Sequence, residues 1–155
     1  MTRSDSGHAP ASPTYAEIGS TVRLLDGEPV KRVRNLMNTI FDQDGAGTPA
    51  LDWSDPERWI EERLTGELRI LARKVWLGSD RAINPRHLYA QVAFINRLRL
   101  LESVEGVYRL GERGRRFLAA DDAILRELVA LRSSKRGRTR PSAALAAGKS
   151  SSLGR

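Results

Sequence analysis

Arg86, Tyr89, Asn96 and Arg97 are the residues whose types and spacing best suit chemistry on a partner. Placed on one helix over residues 85–100, at about 100° per residue, they fall on one side with Ala90 and Ala93 between them. Leu88, Val92, Ile95 and Leu98 cluster on the other, core side. Small alanines let a helix approach closely, and long Arg and amide side chains can reach base edges and phosphates in a major groove. That is the chemistry of a DNA-reading helix. The competing reading is a solvated helix face with ordinary charges. His87 can donate to a phosphate, or act as a capping or surface residue. His8 is the other histidine and there are no cysteines, so neither a zinc site nor a disulfide is expected. No catalytic constellation stands out, and no metal or cofactor is expected.

The elements that must hold these residues are legible from periodicity. Pro29 suits a first helical turn, and Val30, Val33, Leu36, Met37, Ile40 and Phe41 recur at helical spacing. Lys31, Arg32, Arg34, Asn35 and Asn38 take the other side, giving an amphipathic helix over about 29–43. Ser54 with Glu57 reads as a capping box, Asp55 before Pro56 as an alternative cap, for a short helix over 56–63. Trp53, Trp59, Ile60 and Leu64 are expected in the core; stacking of the tryptophans on bases is the weaker reading. Thr65 can cap the next helix, striped by Leu68, Leu71, Ala72, Val75 and Trp76, with Gly78 just past its end. Asn84-Pro85 caps and opens another helix, which either runs unbroken to about Leu100 or turns near Ala90. Arg99 falls near its apolar side, so its stem crosses the core edge or the helix breaks there.

Val104-Glu105-Gly106-Val107 reads as a tight turn, with Gly106 free to take positive φ, and Val107–Leu110 as a half-buried strand. A helix restarts after Gly111, and Asp121 caps a last one bearing Ile124, Leu125, Leu128 and Leu131. The fold class expected is mainly α with a small β hairpin: a winged helix-turn-helix with additional N-terminal helices. The organisation expected is a disordered tail over 1–14, the winged-helix domain with its helical extension over 15–131, and a basic disordered tail over 132–155.

Charge separates these regions. The chain carries a formal net charge of +7, with 26 basic and 19 acidic residues. Seven of the basic residues, and no acid, lie in 132–155, so residues 1–131 balance to zero. The excess belongs to the tail and does not mark the fold as a nucleic-acid binder. Lys135, Arg136, Arg138 and Arg140 are candidates for a non-specific electrostatic arm, or for a basic end with no role. On the hairpin, Arg109 is a better phosphate contact than the tip, which carries Glu105. Arg113, Arg115 and Arg116 are read as surface ion-pairing residues beside Glu112. No apolar run approaches a membrane span of about 20 residues. The opening 13 residues lack a signal peptide's apolar core, so the expected location is cytoplasmic.

Several segments resemble the N-terminal region of Mrr-like restriction endonucleases. They are Thr48-Pro49 leading to Asp52-Trp53-Ser54-Asp55-Pro56; Trp59-Ile60 with Glu62-Arg63-Leu64; Asn84-Pro85-Arg86-His87-Leu88; Phe94-Ile95-Asn96-Arg97; and Gly106–Leu110 with Glu112–Arg115. The resemblance covers about residues 25–130. It implies a winged-helix module that binds double-stranded DNA, followed in that family by a nuclease domain of the PD-(D/E)XK kind. Such a domain needs a Glu-x-Lys or Asp-x-Lys beside a further Asp to hold a metal. Neither occurs here, and Glu28-Pro29-Val30-Lys31 has one residue too many. The chain thus reads as the recognition half of a nuclease without its cutting half. The alternative is a protein–protein or dimerisation module of a restriction or regulatory system. The partners expected are duplex DNA, with a homodimer or a separate nuclease subunit also open, and no membrane.

Overall fold

The computed structural model describes residues 12–45 and 52–137. The chain divides into two compact units, Met1–Ala119 and Ala120–Arg155. In the first, α1 (Tyr15–Leu25) is followed by α2 (Val30–Gly45), α3 (Pro56–Arg63) and α4 (Gly66–Gly78). A 3-10 turn (Pro85–His87) leads into α5 (Leu88–Leu98), then β1 (Leu101–Val104), β2 (Val107–Leu110) and α6 (Glu112–Leu118). The second unit holds α7 (Asp122–Gly137). The described chain is therefore mainly helical, with one small two-stranded antiparallel sheet.

α1 is an element that the periodicity reading passes over, since it places the first periodic segment after Gly27. Its signal is present but short. Thr14 and Glu17 form a reciprocal capping box: Thr14 Oγ1 accepts from the Glu17 N–H at 3.1 Å, and Glu17 Oε1 accepts from the Thr14 N–H at 3.0 Å. Ile18, Val22 and Leu25 are fully buried, but Gly19 and Thr21 share the buried face and dilute its apolar character. The Tyr15 hydroxyl donates to the Phe117 carbonyl at 2.8 Å, tying α1 to α6. Around α1 the core is filled by Val33 and Leu36 of α2, Trp59 and Ile60 of α3, Leu71 and Val75 of α4, Phe94 and Ile95 of α5, and Phe117. Full burial of each such aliphatic or aromatic side chain contributes about 1.5–3 kcal/mol.

Several caps differ from expectation. Ser54 and Glu57 do not form a capping box; Asp52 Oδ1 instead accepts from the Ser54 N–H at 3.1 Å and from its hydroxyl, so the Ser54 side chain is turned away from α3. Asp55 and Thr65 occupy the N-cap positions of α3 and α4 without side-chain bonds. Gly78 is the last residue of α4 rather than the one beyond it. A Cβ there would lie 2.6 Å from Leu24 Cδ2, so the glycine serves close packing with α1. Asp121 caps α7, its Oδ1 accepting from the Ala123 N–H, and the helix extends past Leu131 to Gly137, beyond the point where a tail was expected. Ser133 to Gly137 contain no proline, so the helical hydrogen bonding is not interrupted there.

The hairpin pairs Leu101 with Leu110, Glu102 with Arg109, Ser103 with Tyr108, and Val104 with Val107. Glu105 (φ 53°) and Gly106 (φ 79°) both take positive φ, the signature of a two-residue type I′ turn. The free edge of β2 is covered by the α1–α2 connection. Gly27 N–H donates to the Tyr108 carbonyl at 2.7 Å, Tyr108 N–H to the Glu28 carbonyl at 2.9 Å, and Val30 N–H to the Gly106 carbonyl at 2.9 Å. Pro29 and Val107 form a single antiparallel bridge. A short stretch before α2 thus acts as a rudimentary third strand and pins the hairpin tip against the start of that helix.

Candidate nucleic-acid interface

The helix expected over 85–100 is built in two pieces. Asn84 Oδ1 accepts from the Arg86 N–H at 3.0 Å and closes the 3-10 turn before α5 begins. α5 ends at Leu98, because Arg99 takes the left-handed conformation (φ 55°, ψ 48°) and the Leu100 N–H turns back to the Ile95 carbonyl at 3.0 Å. The end is further held from outside: Arg113 Nε of α6 donates to the Leu98 carbonyl at 2.7 Å. Gly114 lets α6 close onto this corner, since a Cβ would collide with the Leu100 carbonyl oxygen and with Leu110 Cδ1. Arg113 and Arg115 were expected to pair at the surface; each also donates to a backbone carbonyl, Arg115 to that of Leu110 at 3.2 Å.

With α5 placed in this way, Leu88, Gln91, Val92, Phe94, Ile95 and Leu98 are buried. Tyr89, Asn96 and Arg97 are exposed, Tyr89 at 73%, and Ala93 lies half-buried between them. These four residues recur at the fourth, seventh and eighth steps, one stripe of a helix. The side chains of Tyr89, Asn96 and Arg97 make no hydrogen bond or ion pair with any other described residue. The stripe thus offers a phenol, a carboxamide and a guanidinium to an outside partner.

Arg86 and His87 precede α5 and are placed differently. Arg86 is half-buried, its guanidinium carbon 5.2 Å from the centre of the Trp53 ring, a cation–π arrangement. Trp53 also meets Trp59 edge-on at 5.0 Å, and its carbonyl accepts from Asn84 Nδ2 at 2.7 Å and from Trp59 Nε1 at 3.2 Å. The Trp-Ser-Asp-Pro and Asn-Pro-Arg-His segments therefore meet in space. His87 is half-buried and lines a recess of about 230 Å³ with Glu17, Asn84 and Gln91. Gln91 is a buried polar residue unnoticed in the sequence; Thr21 of α1 faces its Oε1 at 3.5 Å. On β2, Arg109 is exposed. Lys135 and Arg136 lie in the final turns of α7, while Arg138 and Arg140 lie outside the described residues.

Several charges of the first unit are taken up in ion pairs. Glu28 accepts from Lys74 at 2.6 Å and from Arg32 at 3.3 Å, and Arg32 also pairs with Glu67. Glu61 holds Arg73, Glu62 holds Arg58, and Glu57 holds Arg81 at 2.5 Å. Hydrogen bonds from Arg81 and Trp76 keep the Glu57 carboxyl below the usual carboxylate range. Lys31, Arg34, Arg97, Arg99 and Arg109 carry no ion pair with described residues. The same holds for exposed Arg23 on α1, and on the hairpin Arg109 stands opposite exposed Glu102 in the strand register.

Comparison with protein-family models, curated proteins and solved structures found no match. Among the described residues no three metal-ligating side chains converge, and no helix is long and apolar enough to cross a membrane.

Proposed function

We propose that this chain binds double-stranded DNA through a winged helix-turn-helix in which α5 is the reading helix. The observation that carries this reading is the unpartnered Tyr89–Ala93–Asn96–Arg97 stripe on a helix followed directly by a tight hairpin. Arg97 suits a guanine edge or a phosphate, and Asn96 an adenine edge. The hairpin takes the part of the wing. The α1–α2 connection supports this, because it pairs with β2 where a winged helix carries its third strand. The resemblance to Mrr-like endonucleases fits the same reading, with this chain as a recognition module.

The test is a fluorescence anisotropy titration of labelled duplexes with the full chain. Arg97→Ala and Asn96→Ala should each weaken binding to a preferred sequence by about 1–3 kcal/mol and reduce discrimination between sequences. Micromolar chain that leaves every duplex free at low salt would end the proposal.

A second reading, a dimerisation or scaffold module, draws on α4. Ile70 and Leu77 stand one heptad apart there and are exposed at 65% and 49%. Analytical ultracentrifugation showing a tight oligomer indifferent to DNA would favour it.

A further inference from the structure

We infer that α2 carries a second contact surface, for the sugar–phosphate backbone of the same duplex, formed by Lys31, Arg34, Asn35 and Asn38. This rests on the DNA reading of α5 but arises from different residues. The four follow helical spacing on a single face, and all four are exposed. Their side chains have no hydrogen-bond or ion-pair partner among the described residues. Their neighbour Arg32 shows the contrast: it turns to Glu28 and Glu67 and is neutralised. Within α2 no acid appears before Asp42, near the far end of the helix, and Glu67 of α4, which lines a recess with Lys31 and Asn35, is paired with Arg32. Two free cations flanked by two amides can neutralise phosphates and hydrogen-bond to their oxygens. They carry no apolar anchor that base-edge or protein recognition would favour, except Phe41 beyond them.

The hairpin fixes where this face begins. Val30 N–H is held by the Gly106 carbonyl, so Lys31 starts beside the hairpin tip. Arg34 lies close enough to Tyr108 for its charge to act on the phenol. Arg109, on the same strand, passes near Gly27, where a Cβ would lie 3.8 Å from its guanidinium. β1, four residues and about 13 Å long, runs from the end of α5 to the hairpin tip, against which α2 begins. A helix in the groove and cations at the far end of that strand suit a backbone grip beside the groove. The tip itself, with Glu105, is not part of that grip.

Salt dependence separates this role from base reading. Full-length chain and the Lys31→Ala/Arg34→Ala double variant are titrated with a mixed-sequence duplex between about 50 and 200 mM salt. Loss of two phosphate contacts should lower the log–log slope by about 1.8, so that the affinity gap to wild type narrows about tenfold across that range. The loss should be the same factor for every duplex sequence. Lys31→Arg/Arg34→Lys should keep the wild-type slope. If circular dichroism shows that the double alanine variant does not fold, Lys31→Gln and Arg34→Gln are read singly, each lowering the slope by about 0.9. Wild-type binding with an unchanged slope in the charge-removing variants overturns this inference and leaves the α5 reading standing. A wild-type chain that binds no duplex overturns both.

Discussion

Asn84 Nδ2 donates to the Trp53 carbonyl at 2.7 Å, while Oδ1 of the same side chain accepts from the Arg86 N–H at 3.0 Å. One amide therefore shapes the turn into α5 and anchors the segment that enters α3. Asn84→Ala removes both bonds and should cost about 2 kcal/mol, about 1 for the cap and about 1 for the buried-side bond. Asn84→Asp keeps an acceptor for Arg86 but has no donor for Trp53, so about half the loss should remain. Urea midpoints read both. An unshifted midpoint for the alanine variant would contradict the anchoring role.

Arg86 and Arg97 should separate in their effects. Arg86 rests on the Trp53 ring, so Arg86→Ala should cost about 0.5–1 kcal/mol of stability and alter tryptophan fluorescence. Arg97 is exposed and unpartnered, so Arg97→Ala should change stability by less than about 0.5 kcal/mol. Its effect should appear in DNA affinity instead. Thermal melts beside anisotropy titrations distinguish the two.

Gly114 should not accept a side chain. Its Cβ would meet the Leu100 carbonyl oxygen, which is backbone and cannot rotate away. Gly114→Ala should therefore destabilise by about 2–3 kcal/mol despite the better helix propensity of alanine. Denaturant unfolding showing a stabilised variant would refute the close approach of α6 to the hairpin.

Arg99 should tolerate glycine well. A non-glycine residue in the left-handed region carries a backbone cost, and Arg99 makes no ion pair to offset it. Arg99→Gly should raise stability by about 0.5–1 kcal/mol, measured as a higher urea midpoint with unchanged slope.

Alkaline pH should weaken the hairpin corner through Tyr108. Burial raises its hydroxyl above the ordinary tyrosine value, while the nearby charge of Arg34 opposes that shift. The unfolded chain then releases the proton more readily than the folded one. The stability is fully present below the unfolded value of about 10 and is lost as pH rises towards the folded value. Tyr108→Phe should lack this component of the loss, and Arg34→Ala should steepen it. Thermal melts on either side of pH 10 check both.

Much of the local architecture was legible in residue types. Asn84-Pro85 marked a helical start, Glu105-Gly106 a tight turn, Asp121 a cap, and the 3.6-residue pattern the helices α2 to α5. Each of these depends on interactions within a few residues, which sequence spacing records. α1 was missed although Thr14 and Glu17 announce it, because a short helix burying Gly19 and Thr21 has a weak apolar pattern. The sequence admits either a break or a continuous helix at Arg99, because a left-handed residue other than glycine is held there by α6 and the hairpin and not by its own preference.

The stripe on α5 could be drawn from spacing alone, and so could the neutral balance of residues 1–131. Which cations remain free could not. Glu28 reaches Lys74 of α4 as well as Arg32 of α2, and Glu57 reaches Arg81, across sequence separations of 46 and 24 residues. Coulomb attraction falls with distance through space, not along the chain, so only tertiary packing determines which charges cancel. Sequence alone determined that the balance was zero. The fold decided that acids cancel Arg32, Arg73, Lys74 and Arg81 while Lys31, Arg34, Arg97 and Arg109 stay uncompensated.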